Sequence, residues 1–146
     1  MNNEIDPLIL PLCKVLNDIP GVKTIYSCSG HPNSLGYTDG KYRGTYILML
    51  VKGDIRTLRE LKIAFSKVKF WSAFAVTVRE GQTDDPDTVR VCVDLFKRDT
   101  KKVNCKIVTE YLGFTEDELK RCFDETIDAL KPLVPRKEIQ NEQRRL

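Results

Sequence analysis

The residues best equipped for chemistry lie in one run, Thr24-Ile25-Tyr26-Ser27-Cys28-Ser29-Gly30-His31-Pro32. A β-branched and aromatic stretch passes directly into two hydroxyls, a thiol, a glycine and the only histidine of the chain. A core strand needs none of these groups. Small residues at a strand end let backbone N–H groups around Gly30 converge on an anion, and the Ser27 and Ser29 hydroxyls and the His31 imidazole add hydrogen bonds suited to phosphate or carboxylate. The plainer account is a turn with a local side-chain cap. The Gly-, Asn-, Asp- and Pro-bearing stretch from Ser29 to Gly44 is, however, longer than a hairpin requires, and long ordered loops are often functional. Lys41, Tyr42 and Arg43, at its far end, are expected to close over a ligand held by Ser27, Cys28, Ser29, Gly30 and His31.

Other chemistries draw on the same residues. Cys28 with His31 three positions on is a candidate nucleophile and base for catalysis, although a small strand-end cysteine is more often packed than reactive. Cys28 is not followed by five residues and an arginine, so it does not head a phosphatase-type loop. Cys28 and His31 could join Cys92 and Cys105 around zinc, but structural zinc needs two close pairs and those cysteines stand thirteen apart, so no metal is expected. Cys13 and Cys122 fall on apolar helix faces and read as packing. Basic residues at Lys41, Arg43, Arg56, Arg59, Lys97, Arg98, Lys101, Lys102, Arg136, Lys137, Arg144 and Arg145 leave RNA open as a partner, yet a net charge of +3 is modest for a phosphate-tracking surface. Asp84, Asp85 and Asp87 read as solvated turn residues.

These groups must be positioned by a chain of 146 residues, 41% hydrophobic and 31% charged, which fits one core. Glu4 and Asp6 near the start argue against an export signal, and five scattered cysteines argue for reduced thiols, so a cytoplasmic location is expected. The longest apolar run, Tyr46 to Val51, falls far short of the roughly 20 residues that span a bilayer, so no membrane association is expected. Asp6-Pro7 opens a helix with Leu8, Leu12, Val15, Leu16 and Ile19 on one face. Val22 to Ser27 is a strand ending at Cys28, and Thr45 to Val51 is a central strand covered on both faces. Leu58, Leu61, Phe65 and Val68 mark a second helix; Trp71 to Val78 and Val89 to Phe96 form a hairpin around Gly81 to Asp87. Ile107, Val108, Tyr111 and Leu112 fit a short helix ending at Gly113, and Thr115 with Glu118 caps a last helix that buries Leu119, Cys122, Phe123, Ile127 and Leu130. The order α-β-β-α-β-β-α-α predicts an α+β two-layer sandwich, with a mixed or antiparallel sheet of about four strands and helices packed on it. Residues 1–135 form the expected single domain, and 136–146 a polar C-terminal tail.

Glu4-Ile5-Asp6-Pro7 opening a helix, Leu16-Asn17 ending it, a strand beginning near Thr24, and Ser27-Cys28-Ser29-Gly30 resemble the N-terminal part of the wybutosine-synthesising tRNA methyltransferase family. That family's motif continues with arginine, where this chain has His31. Ile19-Pro20-Gly21-Val22 and Ser27-Cys28-Ser29-Gly30-His31 are more similar to small bacterial, prophage and mobile-element proteins with a Cys-Gly-His motif. The likeness spans about residues 4 to 32, with Phe70-Trp71 an echo further on. The first resemblance implies an RNA- or nucleotide-modifying enzyme that uses S-adenosylmethionine; the second implies a non-catalytic binder that sequesters a signal or inhibits a host factor. The residues themselves favour binding of a nucleotide-like or other anionic small ligand with no cofactor. The remaining class is a protein-binding module that uses the tail on a host protein or on a second copy.

Overall fold

The computed structural model describes residues 6–32, 36–52, 55–77 and 88–135, with backbone alone for 73–77. In chain order the elements are α1 (Leu10–Asn17), β1 (Val22–Cys28), β2 (His31–Pro32), β3 (Tyr42–Arg43), β4 (Tyr46–Lys52), α2 (Ile55–Ser66), β5 (Trp71–Thr77), β6 (Thr88–Leu95), β7 (Lys97–Val103), β8 (Lys106–Leu112) and α3 (Glu116–Leu130), followed by a 3-10 turn over Lys131–Leu133. The main sheet runs β1-β4-β6-β5 and is antiparallel throughout, with β4 interior. Two short ribbons, β2–β3 and β7–β8, stand apart from it. The fold is the expected α+β sandwich.

Period-two alternation decides which side of this sheet meets the helices. Ile47, Met49 and Val51 of β4 and Val91, Val93 and Leu95 of β6 are buried against Leu12 and Leu16 of α1, Leu61 and Phe65 of α2, and Leu119, Phe123 and Leu130 of α3. Trp71 locks the layers together: its Nε1–H donates to Thr126 Oγ1 at 2.8 Å, and its ring meets Phe65 edge-on at 5.1 Å. The opposite alternation, Tyr46, Leu48 and Leu50 in β4, is half-buried. β4 is therefore central in the sheet, but among the described residues helices cover it on one face only; its unbroken apolar run overstated the covering.

Two further expectations are corrected. α1 begins at Leu10 rather than at Asp6-Pro7, because Pro11, which lacks an N–H, fits without loss only in a first turn. Asp6 instead accepts the Leu8 N–H at 3.1 Å in a local turn ahead of the helix. Residues 106–112 form a strand, not a helix. Ile107, Val108 and Thr109 are β-branched, and Asn104 and Cys105, at φ +50° and +63°, make the tight two-residue connection that pairs β7 with β8. The α3 start is as expected: Thr115 Oγ1 accepts the Glu118 N–H at 3.1 Å, and the Glu118 carboxylate accepts the Thr115 N–H at 3.0 Å. The expected turn at Gly81 to Asp87 with its aspartates, the opening Glu4-Ile5 and the tail 136–146 lie outside the described residues. Among the described residues no helix is long and apolar enough to cross a membrane.

Glu118 also receives the Lys97 ammonium, joining α3 to the ribbon, and this contact together with the Thr115 N–H holds its carboxyl down at about 2. A carboxyl depressed in the folded state stabilises above its ordinary value of 4.5 and loses that contribution as pH falls through the folded value. Glu118→Gln should lower the urea midpoint at neutral pH, and the gap from the parent should close as the pH approaches 2.

Candidate functional site

The turn that closes β1 is shaped by what lies beneath it. Ser27 pairs with Ile47 and faces inward, toward the Cys13 thiol, whose pKa burial raises. Cys28 pairs with Tyr46 and so faces the other way. The chain then folds back: Thr45 Oγ1 donates to the Ser29 carbonyl at 2.8 Å, His31 pairs with Arg43, and Pro32 pairs with Tyr42. Gly30 sits at φ +93°, and a Cβ there would stand 2.7 Å from the Arg43 carbonyl oxygen. Only glycine allows the two backbones this close.

Ser29 and Gly30 are buried, and the Ser29 hydroxyl has no hydrogen-bond partner. Solvent-facing chemistry is thus narrowed to two groups. His31 is exposed and Cys28 half-buried, with His31 Nε2 at 3.4 Å from Cys28 Sγ. The Gly30 N–H donates to the same sulfur at 3.3 Å. The imidazole is placed to take the thiol proton, and its ring is equally free to meet a ligand oxygen.

At the far end of the loop, Arg43 turns inward. Its side chain is 6% exposed, its terminal nitrogens donate to both Asp39 carboxylate oxygens at 2.9 and 2.8 Å, and its Nε–H donates to the Tyr111 carbonyl at 3.2 Å. The Tyr37 ring covers the guanidinium at 3.6 Å. The bonded pair holds Asp39 well below the usual carboxylate range and raises Arg43. Arg43 therefore has its charge matched by Asp39, while Lys41 is exposed and Tyr42, half-buried, exchanges both backbone hydrogen bonds with Phe114. Sequence reasoning missed Asp39 and Gly113. Asp39 lies four residues before Arg43 in a loop, where no helical spacing rule applies; a Cβ on Gly113 would meet Lys41 Cβ at 2.4 Å and the Arg43 guanidinium at 3.0 Å.

The remaining cysteines are spread out. Cys13 and Cys122 are buried, and burial pushes the Cys122 thiol up to about 12. Cys92 lies in β6, and Cys105 lies at the exposed tip of the β7–β8 ribbon. Among the described residues no three His, Cys, Asp or Glu side chains converge as a metal site would require. Of the basic residues on the ribbon, Lys97 is bridged to Glu118, Lys101 to Asp99, and Arg98 lies over Phe96 and Tyr111.

No family model and no curated protein matches the chain. Among solved structures it is similar to the PH1069 protein from Pyrococcus horikoshii, with 16% identity, a TM-score of 0.41, and coverage of 90% of this chain and 86% of that one.

Gly30→Ala should force the turn away from β3 and cost about 1–3 kcal/mol in chemical denaturation. Asp39→Asn should also destabilise, because it leaves a buried guanidinium without its counter-charge; Lys41→Ala, an exposed neighbour, should leave the midpoint unmoved.

Proposed function

We propose that the turn closing β1 binds a small anionic, nucleotide-like ligand, with Cys28 and His31 as contact groups and exposed Lys41 adding positive charge. The observation that carries this reading is a contrast in fixation. The backbone of the turn is pinned by the Thr45 bond to Ser29, by the approach of Gly30 to Arg43 and by the His31–Arg43 pairing, yet among the described residues the two side chains it presents bond one another and the turn's own Gly30 N–H. Such a platform is preorganised, so ordering costs little on binding. An imidazole N–H directed at a phosphate or carboxylate oxygen makes a charge-assisted bond when the ring is protonated. The Cys-Gly-His resemblance supports the same reading, as a binder that sequesters a signal or inhibits a host factor. A methyl-transfer role rests on the other resemblance alone.

A second reading has its own support. The His31 ring nitrogen and the Gly30 N–H converge on one sulfur, which is the arrangement of a nucleophile with an adjacent base. On this reading the imidazole accepts the thiol proton as sulfur adds to a carbonyl carbon, whose C=O π pair moves onto oxygen.

Mass spectrometry of the purified chain separates the two. A binder releases its small molecule unchanged on denaturation and loses it in the Cys28→Ala, His31→Ala double variant; retention by the double variant refutes the site. A covalent mass increase on Cys28 points to the nucleophile. In a Cys105→Ser background, His31→Ala should slow iodoacetamide labelling of Cys28 by about tenfold if the ring acts as base, and equal rates would rule that out.

A further inference from the structure

We infer that the helix-free face of the main sheet is the bed on which the ligand lies, with Arg90 taking its negative charge and Asp94 and Ser72 reading a hydrogen-bonding group at the other end, as a nucleoside monophosphate would require. This rests on the reading of the β1 turn above and extends it to residues in three other strands.

The register defines the face. Cys28 is opposite Tyr46, Tyr46 opposite Asp94, and Asp94 opposite Ser72, so a thiol, a phenol, a carboxyl and a hydroxyl stand in one row across the sheet. The next row holds Tyr26, Leu48 and Cys92, and the one beyond it Leu50 and Arg90. The β4 and β6 positions alternate with buried neighbours such as Ile47, Val91 and Val93 that face the helices, and Ser72 follows Trp71, which bonds α3.

Polar groups on this face lack the partners that buried polar groups normally have. Ser72 Oγ and Arg90 Nε are both removed from solvent, and among the described residues neither has a hydrogen-bond partner. Among the described residues neither Arg90 nor Asp94 takes part in an ion pair, and the recorded contact of the Asp94 carboxylate is the Cys92 thiol at 4.0 Å. Arg90 and Asp94 do not neutralise one another: four residues apart in one strand, their backbones are separated by about 13 Å. Burial raises the pKa of both Asp94 and Cys92, and the neighbouring Asp94 charge raises that of Cys92 further. An extended ligand with an anion at one end and donors at the other would satisfy Arg90, Asp94 and Ser72 together. Leu48, Leu50 and Cys92 between them offer the apolar surface on which a planar ring would rest. Cys28, at the corner of the first row, joins this face to the turn.

The test titrates the full-length chain with ribonucleoside monophosphates, their parent nucleosides and inorganic phosphate, by calorimetry and thermal shift. At least one monophosphate should bind more tightly than its nucleoside, and Arg90→Met should erase that preference, a loss of about tenfold or more. Asp94→Asn and Ser72→Ala should weaken nucleoside and nucleotide alike. In the ligand-free protein, Ser72→Ala and Arg90→Met should leave the melting temperature unchanged or raised, since each removes a group without a partner; a clear fall in both would show structural roles and overturn the inference. Loss of binding in His31→Ala with full binding in Arg90→Met, Asp94→Asn and Ser72→Ala overturns the bed and leaves the turn standing. The reverse pattern overturns the turn and leaves the bed, and binding of no probe overturns the inference.

Discussion

A single buried guanidinium holds the parts of this molecule in relation to one another. Arg43 is bonded to Asp39 in its own loop, to the Tyr111 carbonyl at the base of the β7–β8 ribbon, and through β3 to His31 in the turn, with Tyr37 stacked over it. A two-stranded ribbon is marginal in water unless something braces it. Every residue of β8 is exposed, so the ribbon draws little from the core and depends on its base: Arg43 at Tyr111, Tyr42 at Phe114, and Lys97 at Glu118. A charge this deeply placed is tolerable only with a partner, which Asp39 supplies. The same commitment explains why Arg43 serves the architecture of the turn rather than meeting a ligand.

The main sheet divides its labour between its faces. Toward the helices, Ile47, Met49, Val51, Val91, Val93 and Leu95 meet three amphipathic helices, and there the packing is apolar, with polar links from Trp71 to Thr126 and from Asn17 of α1 to Thr24 of β1. On the other face the alternation brings up Tyr46, Leu48, Leu50, Arg90, Cys92 and Asp94, where hydrophobes and ionisable groups are interleaved. A solvated sheet face would carry polar groups satisfied by water, and a second core would carry none. This face holds polar atoms that water does not reach and that the described protein does not bond. Unsatisfied groups of this kind reduce stability and are characteristic of functional surfaces.

What could be read from the sequence depended on range. The Thr115–Glu118 capping box, the strand ending at Cys28 and the helical faces of α2 and α3 rest on neighbours within a few residues, and these are where expected. The span 107–112 failed because Ile107, Val108, Tyr111 and Leu112 satisfy a helical period as well as a strand, and the deciding feature is a positive-φ pair at Asn104 and Cys105, of which only Asn104 is a usual type for such a turn. Leu48 and Leu50 made β4 look doubly covered because composition does not record which face a helix occupies. For the site, Gly30 was legible as a turn glycine, but the reason it must be glycine is the Arg43 carbonyl across the loop. The Asp39–Arg43 bond, and the alignment of Cys28 with Tyr46, Asp94 and Ser72, are products of long-range register that no local pattern encodes.

The position of Cys28 links these observations. It is the last residue of β1, so its side chain belongs to the first row of the helix-free face, while its sulfur is bonded from the turn by Gly30 and His31. One residue earlier, Ser27 faces the helices, toward Cys13; one residue later, Ser29 is buried with its carbonyl held by Thr45. A shift of register by one would put the thiol in the core and Ser27 on the face, reversing the chemistry of the corner. The bulge between Thr24 and Tyr26 sets that register, and the rigid turn beyond Cys28 fixes its other end. Whether His31 acts on the thiol or on a bound anion, it does so from a location that the pairing of β1 with β4 determines.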